Sequence, residues 1–362
     1  MSRVIVVGAG IAGLVAARDL SRAGADVTVL ESERRPGGVI VSERRDGFLV
    51  EGGPDGFLAS EPDLPALAAE LGIADRMVGQ LVRGSSRWTG KGFEPLEEGG
   101  AAALLGIDFR QGGANLAAGF RSFAGGMGEL VTTLVDRVVE AQHAAPLLSL
   151  AQGVTGITTS RAGWRLTVGG GSAHEAEAVV LALPSYAAGR WLEQIGVPHA
   201  RALADVVYAP SVTVSLAYMA DQFGRALDGT GFVVGAQHAA PLHVRACTYA
   251  SSKFAGRAPD GHVLLRAFLA PLDGNLEQIA HNELAAILGI RGAPLWSRAF
   301  HWTRGLPRYR DHHAAHVALV RERLGRLAPL AICGAGYDGA GVSACVRSGR
   351  DAARVVLKRL GR

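Results

Sequence analysis

The hydrophobic pattern changes period twice within the first thirty residues. Residues 3–7, Arg-Val-Ile-Val-Val, end in a continuous β-branched run, as in a strand buried on both faces of a parallel sheet. Residues 8–13 form a glycine turn, residues 11–23 predict a helix closed by Gly24, and residues 26–30 alternate as a second strand ending at Glu31. Such a strand–helix–strand unit needs roughly 30 residues. A strand over 39–42, with a partner over 47–50, precedes the loop 51–56. Helices are predicted over 61–71, where Pro62 stands near the start and Gly72 follows the end, and over 128–141. Residues 84–119 have little periodicity and much glycine, and read as a crossing between domains. Residues 157–168 and 175–184 read as a hairpin leading to a buried strand over 179–183, followed by antiparallel strands over 211–219, 231–235, 243–249 and 262–270. A helix over 276–288, a strand over 329–333, a glycine turn over 334–341 and a helix over 342–360 complete the chain.

Composition narrows the class. Of 362 residues, 48% are hydrophobic and 19% charged, which supports a sizeable core and argues against disorder. Glycine occurs 49 times, about twice its usual share of roughly 7%, without a collagen-like period. That excess points to tight turns and close backbone approaches. Aromatics at 6% give little for base stacking, so no nucleic-acid partner is expected. The net charge of +4 comes mainly from scattered arginines beside Asp and Glu, a mildly positive surface that suits an acidic small molecule. Cys247, Cys333 and Cys345 form no CxxC pair, the pattern of reduced thiols in a cytoplasmic protein. No window of 18 apolar residues is free of charge or glycine, so no spanning helix is expected. The apolar run 4–17 imitates a signal peptide, yet its regularly spaced glycines mark it as a folded element.

The chemistry lies in three glycine-rich segments. Gly8, Gly10 and Gly13 have the GxGxxG spacing, after a strand and opening a helix. In that setting the first glycine permits the turn, the second lets a pyrophosphate approach the backbone, and the third lets helix and strand pack closely. The phosphates meet unpaired N–H groups at the positive end of the helix. Glu31, at the end of the next strand, is placed to accept ribose hydroxyls. In the following loop Arg35 can neutralise phosphate, and Gly37-Gly38 allows close approach to a long cofactor. The segment 330–342 repeats the order of strand, glycine turn and helix start. A second helix N-terminus suits a flavin, whose reduced form is negative near N1 and O2, so the pair of sites predicts FAD in preference to NAD. His312, His313 and His316 lack a completing carboxylate–histidine pattern, so no metal is expected. There is no Gly-x-Ser-x-Gly elbow or P-loop lysine.

These segments resemble the FAD-dependent protoporphyrinogen and coproporphyrinogen oxidases, within the wider amine oxidase and phytoene desaturase group. The resemblance rests on residues 8–13, 31–39, 51–57, 123–127, 179–184, 306–309 and 334–349, so it covers both ends and most of the latter half. It implies an α/β protein with an FAD-binding, doubly wound (Rossmann-like) domain and a second, antiparallel-sheet substrate domain. The expected division is 1–82, 123–185 and 306–362 for the FAD-binding domain, 83–122 for a shortened inter-domain segment and 186–305 for the substrate domain.

The resemblance also implies the site. Gly8, Ala9, Gly10, Ile11, Ala12, Gly13, Glu31 and Ser32 would hold the ADP half of FAD. Gly38, Val39, Gly53, Pro54, Asp55 and Gly56 would line the ribityl and flavin side, Val154 would meet the adenine, and Ala340, Gly341 and Val342 the isoalloxazine. The implied reaction is dehydrogenation of protoporphyrinogen IX or coproporphyrinogen III in heme biosynthesis, with O2 as electron acceptor. No catalytic side chain is assigned, since the flavin carries the redox chemistry. A flavin amine oxidase, a carotenoid-type desaturase and a non-catalytic FAD-binding paralogue remain open. The stretch between Gly56 and Gly125 is shorter than the family's helical subdomain, and Arg83 and Arg87 are the arginines nearest to where a substrate propionate would be met. A homodimer and a peripheral contact with the inner face of the membrane also stay open.

Overall fold

The strand Arg3–Val7 is the middle of a five-stranded parallel sheet in the computed structural model, which describes residues 1–101, 115–140, 148–235 and 242–362. The strands lie in the order Leu148–Ser149, Asp26–Leu30, Arg3–Val7, Ala178–Leu181 and Leu330–Ile332. Both faces are covered, which is why these strands are apolar nearly throughout. Val4, Val6, Val27, Val29, Ala178 and Val180 enter one core, and Ile5, Val7, Leu30, Val179 and Leu181 enter the other. The helices Ile11–Arg22, Asp63–Leu71, Gly128–Glu140 and Val342–Arg359 close the first core. A three-stranded antiparallel sheet (Val154–Ser160, Gly163–Val168, Ala173–Ala176) closes the second, with the helices Ser185–Gln194, Ala200–Ala204 and His313–Leu324.

A seven-stranded sheet stands beside this layer in the order Trp296–Arg308, Val207–Met219, His262–Leu269, Val244–Tyr249, Gly231–Val234, Ser85–Trp88 and Phe93–Leu96. The helix Leu276–Leu288 covers one face. The other face receives Phe48 and Val50 of the hairpin Ser42–Arg45/Phe48–Glu51, and the Phe48 ring meets Trp296 edge-on at 5.1 Å. That hairpin brings the loop after Glu51 between the two sheets.

The expected elements recur, and the following differences bear on the site. The crossing over 84–119 contributes the strands Ser85–Trp88 and Phe93–Leu96 to the edge of the large sheet. Their alternation is too short, and too broken by Gly90, Gly92 and Pro95, to stand out in the sequence; residues 102–114 lie outside the described residues. The strand placed over 39–42 begins at Ser42 instead, because Ile40 donates its N–H to the Gly37 carbonyl at 3.0 Å and closes a turn. The long strand Trp296–Arg308 was not foreseen: it carries Gly305 and Pro307, which an edge strand tolerates. Finally, the helices Ser185–Gln194 and Ala200–Ala204, not expected from the sequence, pack on the parallel sheet. The helix expected over 128–141 is observed as Gly128–Glu140, with residue 141 outside the described residues.

Candidate cofactor-binding site

The three glycines of the first turn have different reasons to be glycine. Gly8 has φ +102°, and a Cβ on it would come within 2.4 Å of the Ala182 carbonyl oxygen. A Cβ on Gly13 would come within 2.0 Å of the Gly8 carbonyl oxygen. Both positions serve the packing of strand, turn and helix. Gly10 does not: a Cβ there would meet nothing within 4 Å. Gly10 is the N-cap of the helix Ile11–Arg22 and provides no side-chain cap, so the first-turn N–H groups and the positive end of the helix dipole present an open cradle. Ala9 is buried behind it, and Ile11 and Ala12 enter the first core.

The second glycine loop lies directly on the first. Gly37 donates its N–H to the Ala9 carbonyl at 2.8 Å, and a Cβ on Gly38 (φ +59°) would approach the Gly10 Cα at 3.4 Å. Arg35 holds this loop: its guanidinium donates to the Gly38 carbonyl at 2.6 Å and the Ile40 carbonyl at 3.3 Å, and lies 6.0 Å from the Trp302 ring. Val39 is exposed, while its carbonyl oxygen would be 1.7 Å from any Cβ on Gly53. Trp302 donates its Nε1–H to the Gly52 carbonyl at 2.7 Å. The loop 52–56 is thereby fastened to Val39 on one side and to the large sheet on the other. Pro54 stays half-buried, and a Cβ on Gly56 would meet the Arg121 carbonyl oxygen at 2.5 Å. The Asp55 carboxylate is turned to Lys253 at 2.8 Å, so its side chain is committed within the protein.

Glu31 is buried and ties the first glycine turn to the loop that follows it. It accepts the Ala9 N–H at 2.7 Å through Oε2, and the Glu33 N–H at 2.9 Å and the Ser32 hydroxyl at 3.1 Å through Oε1. Oε2 keeps a second lone pair that could accept a further hydroxyl, whereas Oε1 already accepts two bonds. Residues 148–154 run alongside: Ala151 and Gln152 donate backbone N–H groups to the Glu33 and Glu31 carbonyls at 2.9 and 2.7 Å. A Cβ on Gly153 would lie 3.5 Å from Ser32, which brings the next residue, Val154, beside the same loop.

The closing turn is held by the half-buried Tyr309, the buried Tyr337 and one ion pair. Tyr309 donates to the Ala335 carbonyl, and Tyr337 donates to the Leu183 carbonyl at 3.0 Å. Ser348 accepts the Gly334 N–H at 3.1 Å and donates to Asp338 at 2.8 Å, while Arg321 grips Asp338 through two bonds of 2.7 and 2.6 Å. Ala340 is half-buried and Val342 buried at the start of the helix Val342–Arg359. Its N-cap, Gly341, again has nothing within 4 Å of a would-be Cβ. The next side chain, Ser343, is fully buried, and its Oγ has no hydrogen-bond partner among the described residues. Two uncapped helix starts, Gly10 and Gly341, thus belong to helices packed against one another, and both starts fit an anionic, elongated cofactor.

Some residues of the site could not be read from the chain. Phe300, against which a Cβ on Gly52 would press at 2.6 Å, and Lys253 lie more than 190 residues from the loops they support, and no local motif marks them. Arg83 and Arg87 are engaged elsewhere: Arg83 donates to the Ala117 and Ala118 carbonyls, and Arg87 pairs with Glu94.

The sequence profile described as "Flavin containing amine oxidoreductase" matches residues 11–87 and 79–357. The chain belongs to this family. It is an FAD-dependent oxidoreductase, and FAD is its cofactor. Its relatives include proteins named coproporphyrinogen III oxidase: that of Propionibacterium freudenreichii subsp. freudenreichii is 28% identical over 487 residues, covering 98% of this chain and 90% of that one. The Bacillus subtilis (strain 168) protein of that name is 22% identical, covering 96% of each chain. Among solved structures, a protein of Exiguobacterium sp. 255-15 assigned as a protoporphyrinogen oxidase superposes with a TM-score of 0.82 at 22% identity, covering 100% of this chain and 99% of that one. Cyclohexylamine oxidase of Brevibacterium oxydans IH-35A superposes with a TM-score of 0.77 at 15% identity, with 100% of both chains covered. Among the described residues no helix is long and apolar enough to cross a membrane.

Proposed function

We propose that the chain dehydrogenates a porphyrinogen, coproporphyrinogen III in the first instance, in heme biosynthesis. The observation that carries this reading is the run of relatives named coproporphyrinogen III oxidase that align with nearly the whole chain, at 22–28% identity. When bound, FAD supplies the two-electron acceptor. The chain's own part is binding and orientation. Gly8, Ala9, Gly10, Ile11, Ala12 and Gly13 offer backbone N–H groups to the pyrophosphate, Glu31 and Ser32 accept or donate at the ribose, and Val154 covers the adenine. Arg35, Gly38, Val39 and Gly53, Pro54, Asp55 and Gly56 shape the middle of the cofactor, and the N–H groups after Ala340, Gly341 and Val342 favour negative charge at its far end. No side chain here is assigned as a general base. Transfer of the electrons to O2, a homodimer and a peripheral contact with the inner membrane face are parts of the same proposal.

This chain is shorter than the relatives it matches. The Propionibacterium alignment spans 487 positions against a chain of 362, so more than a hundred of its positions find no partner here. The family match is also broken into two pieces that meet at residues 79–87. Aerobic incubation of the FAD-loaded chain with coproporphyrinogen III or protoporphyrinogen IX tests the reading. The expected result is growing porphyrin fluorescence above the uncatalysed rate. Fluorescence that never exceeds that rate with either substrate would remove it.

A further inference from the structure

The half-buried His313 packs on the closing turn. It is the first residue of the helix His313–Leu324, and its ring stacks on that of Tyr309 with centroids 4.7 Å apart and planes inclined by 23°. Tyr309 in turn donates its hydroxyl to the Ala335 carbonyl, and the Gly339 backbone lies at the same oxygen. One tyrosine thereby joins two points of the turn that leads to the helix start at Gly341. The His313 ring also lies against the backbone of Gly336 and Tyr337, and its Nε2 is cut off from solvent.

Two features oppose a charge on this ring. Burial pushes its pKa below the ordinary 6.5, and His316, one turn along the same helix, adds to that effect. The ring also stands at the start of a helix whose N-cap, His312, supplies no side-chain cap, so a cation there meets the positive end of the dipole. The backbone of Tyr337 and Gly336 and the Asp338 carboxylate pull the other way, but Asp338 is already gripped by Arg321 through two bonds of 2.7 and 2.6 Å. Burial keeps the Tyr309 and Tyr337 hydroxyls protonated. We propose that His313 is a positioning residue for the flavin end of the cofactor: its neutral ring clamps Tyr309 against the closing turn, and its protonation releases the turn. The loosened turn binds the proton more readily than the clamped one. The clamp is therefore complete above about pH 6.5 and is lost as the pH falls through the lowered native value. The proposal rests on the reading that the turn 334–341 holds the flavin, and not on the identity of the substrate.

The test dilutes the FAD-loaded full chain and reads the FAD released at equilibrium, hence the affinity, between about pH 7.5 and about pH 5.5. FAD itself does not titrate in this window. Wild-type affinity is expected to fall roughly fivefold across it, within the limit of about tenfold per pH unit that one proton sets. His313→Phe keeps a flat ring against Tyr309 and cannot titrate. It is expected to bind FAD within about twofold of wild type at the upper pH and to show no slope. His313→Ala removes the stack and is expected to bind roughly fivefold more weakly at every pH. A Cβ on Gly341 meets no protein atom within 4 Å, so Gly341→Val tests the underlying reading by intruding on the cofactor alone. Undiminished FAD affinity in Gly341→Val would remove that reading, and the proposal with it. Weaker binding in that variant beside a flat wild-type profile, or beside a slope that survives in His313→Phe, overturns the proposal alone. So does wild-type affinity in His313→Ala. Should His313→Phe fail to fold, His313→Gln, which does not titrate either, replaces it in the comparison of slopes.

Discussion

Gly349 of the last helix rests on Ala12 of the first: a Cβ added to Gly349 would stand 2.3 Å from the Ala12 carbonyl oxygen. The Cβ position is fixed by the helix backbone and the Ala12 oxygen is itself backbone, so neither can swing aside. This approach brings the N-terminus of Val342–Arg359 beside that of Ile11–Arg22, joining segments that are some 330 residues apart in sequence. Gly349→Ala is therefore expected to destabilise the chain by about 1–3 kcal/mol through overpacking. Because the two helix starts would also separate, FAD content per chain should fall below that of wild type even in samples that remain folded. Thermal melting and the flavin-to-protein absorbance ratio check both effects.

Gly10 and Gly13 should separate cofactor binding from folding. A Cβ on Gly10 meets no protein atom within 4 Å, so Gly10→Ala is expected to leave stability of the FAD-free chain within about 0.5 kcal/mol. It puts a methyl group in the open cradle, and FAD affinity should drop at least about tenfold, a loss of about 1.4 kcal/mol. A Cβ on Gly13 lies 2.0 Å from the Gly8 carbonyl oxygen, so Gly13→Ala should reduce stability first and FAD binding only as a consequence. Denaturant melts of the stripped chain beside FAD titrations distinguish the two. Equal losses of stability in both variants would show that Gly10 serves packing.

The closing turn should weaken in acid. Burial alone would raise the Asp338 carboxyl, but the doubly bonded Arg321 and the Ser348 hydroxyl outweigh it and hold it below the ordinary 3.8. The unfolded chain then binds the proton more readily than the native one, so the pair stabilises fully above about pH 4 and loses its effect as pH falls through the lowered native value. Since both side chains are partly exposed, Asp338→Asn is expected to cost at most about 1 kcal/mol at neutral pH. It should also flatten the acid limb of a stability–pH curve measured between neutrality and pH 3. An unchanged acid limb would place the ion pair among those that contribute nothing.

The first strand–turn–helix and the closing one were legible because each is local: a β-branched run, glycines at fixed spacing and a helix start lie within a few residues. The same holds for Glu31, whose place at the end of the second strand follows from counting along one βαβ unit. What escaped was non-local or irregular. Trp296–Arg308 pairs along one edge only and tolerates Gly305 and Pro307, so its alternation is broken and its register shifts between Trp302 and Leu306. The supports of the cofactor loops come from this strand and from Lys253, Arg257 and Arg266, which only the folded chain brings beneath residues 52–56. Asp55 illustrates the limit: its loop was identified from the motif, yet its side chain answers to Lys253, nearly two hundred residues away.

Anaerobic mixing of the FAD-loaded chain with coproporphyrinogen III, followed through the visible absorbance of the flavin, tests the central claim most directly. The account predicts bleaching at a rate that grows with porphyrinogen concentration, and no bleaching with cyclohexylamine or putrescine. Bleaching by an amine, with an unchanged flavin in the presence of either coproporphyrinogen III or protoporphyrinogen IX, would contradict it.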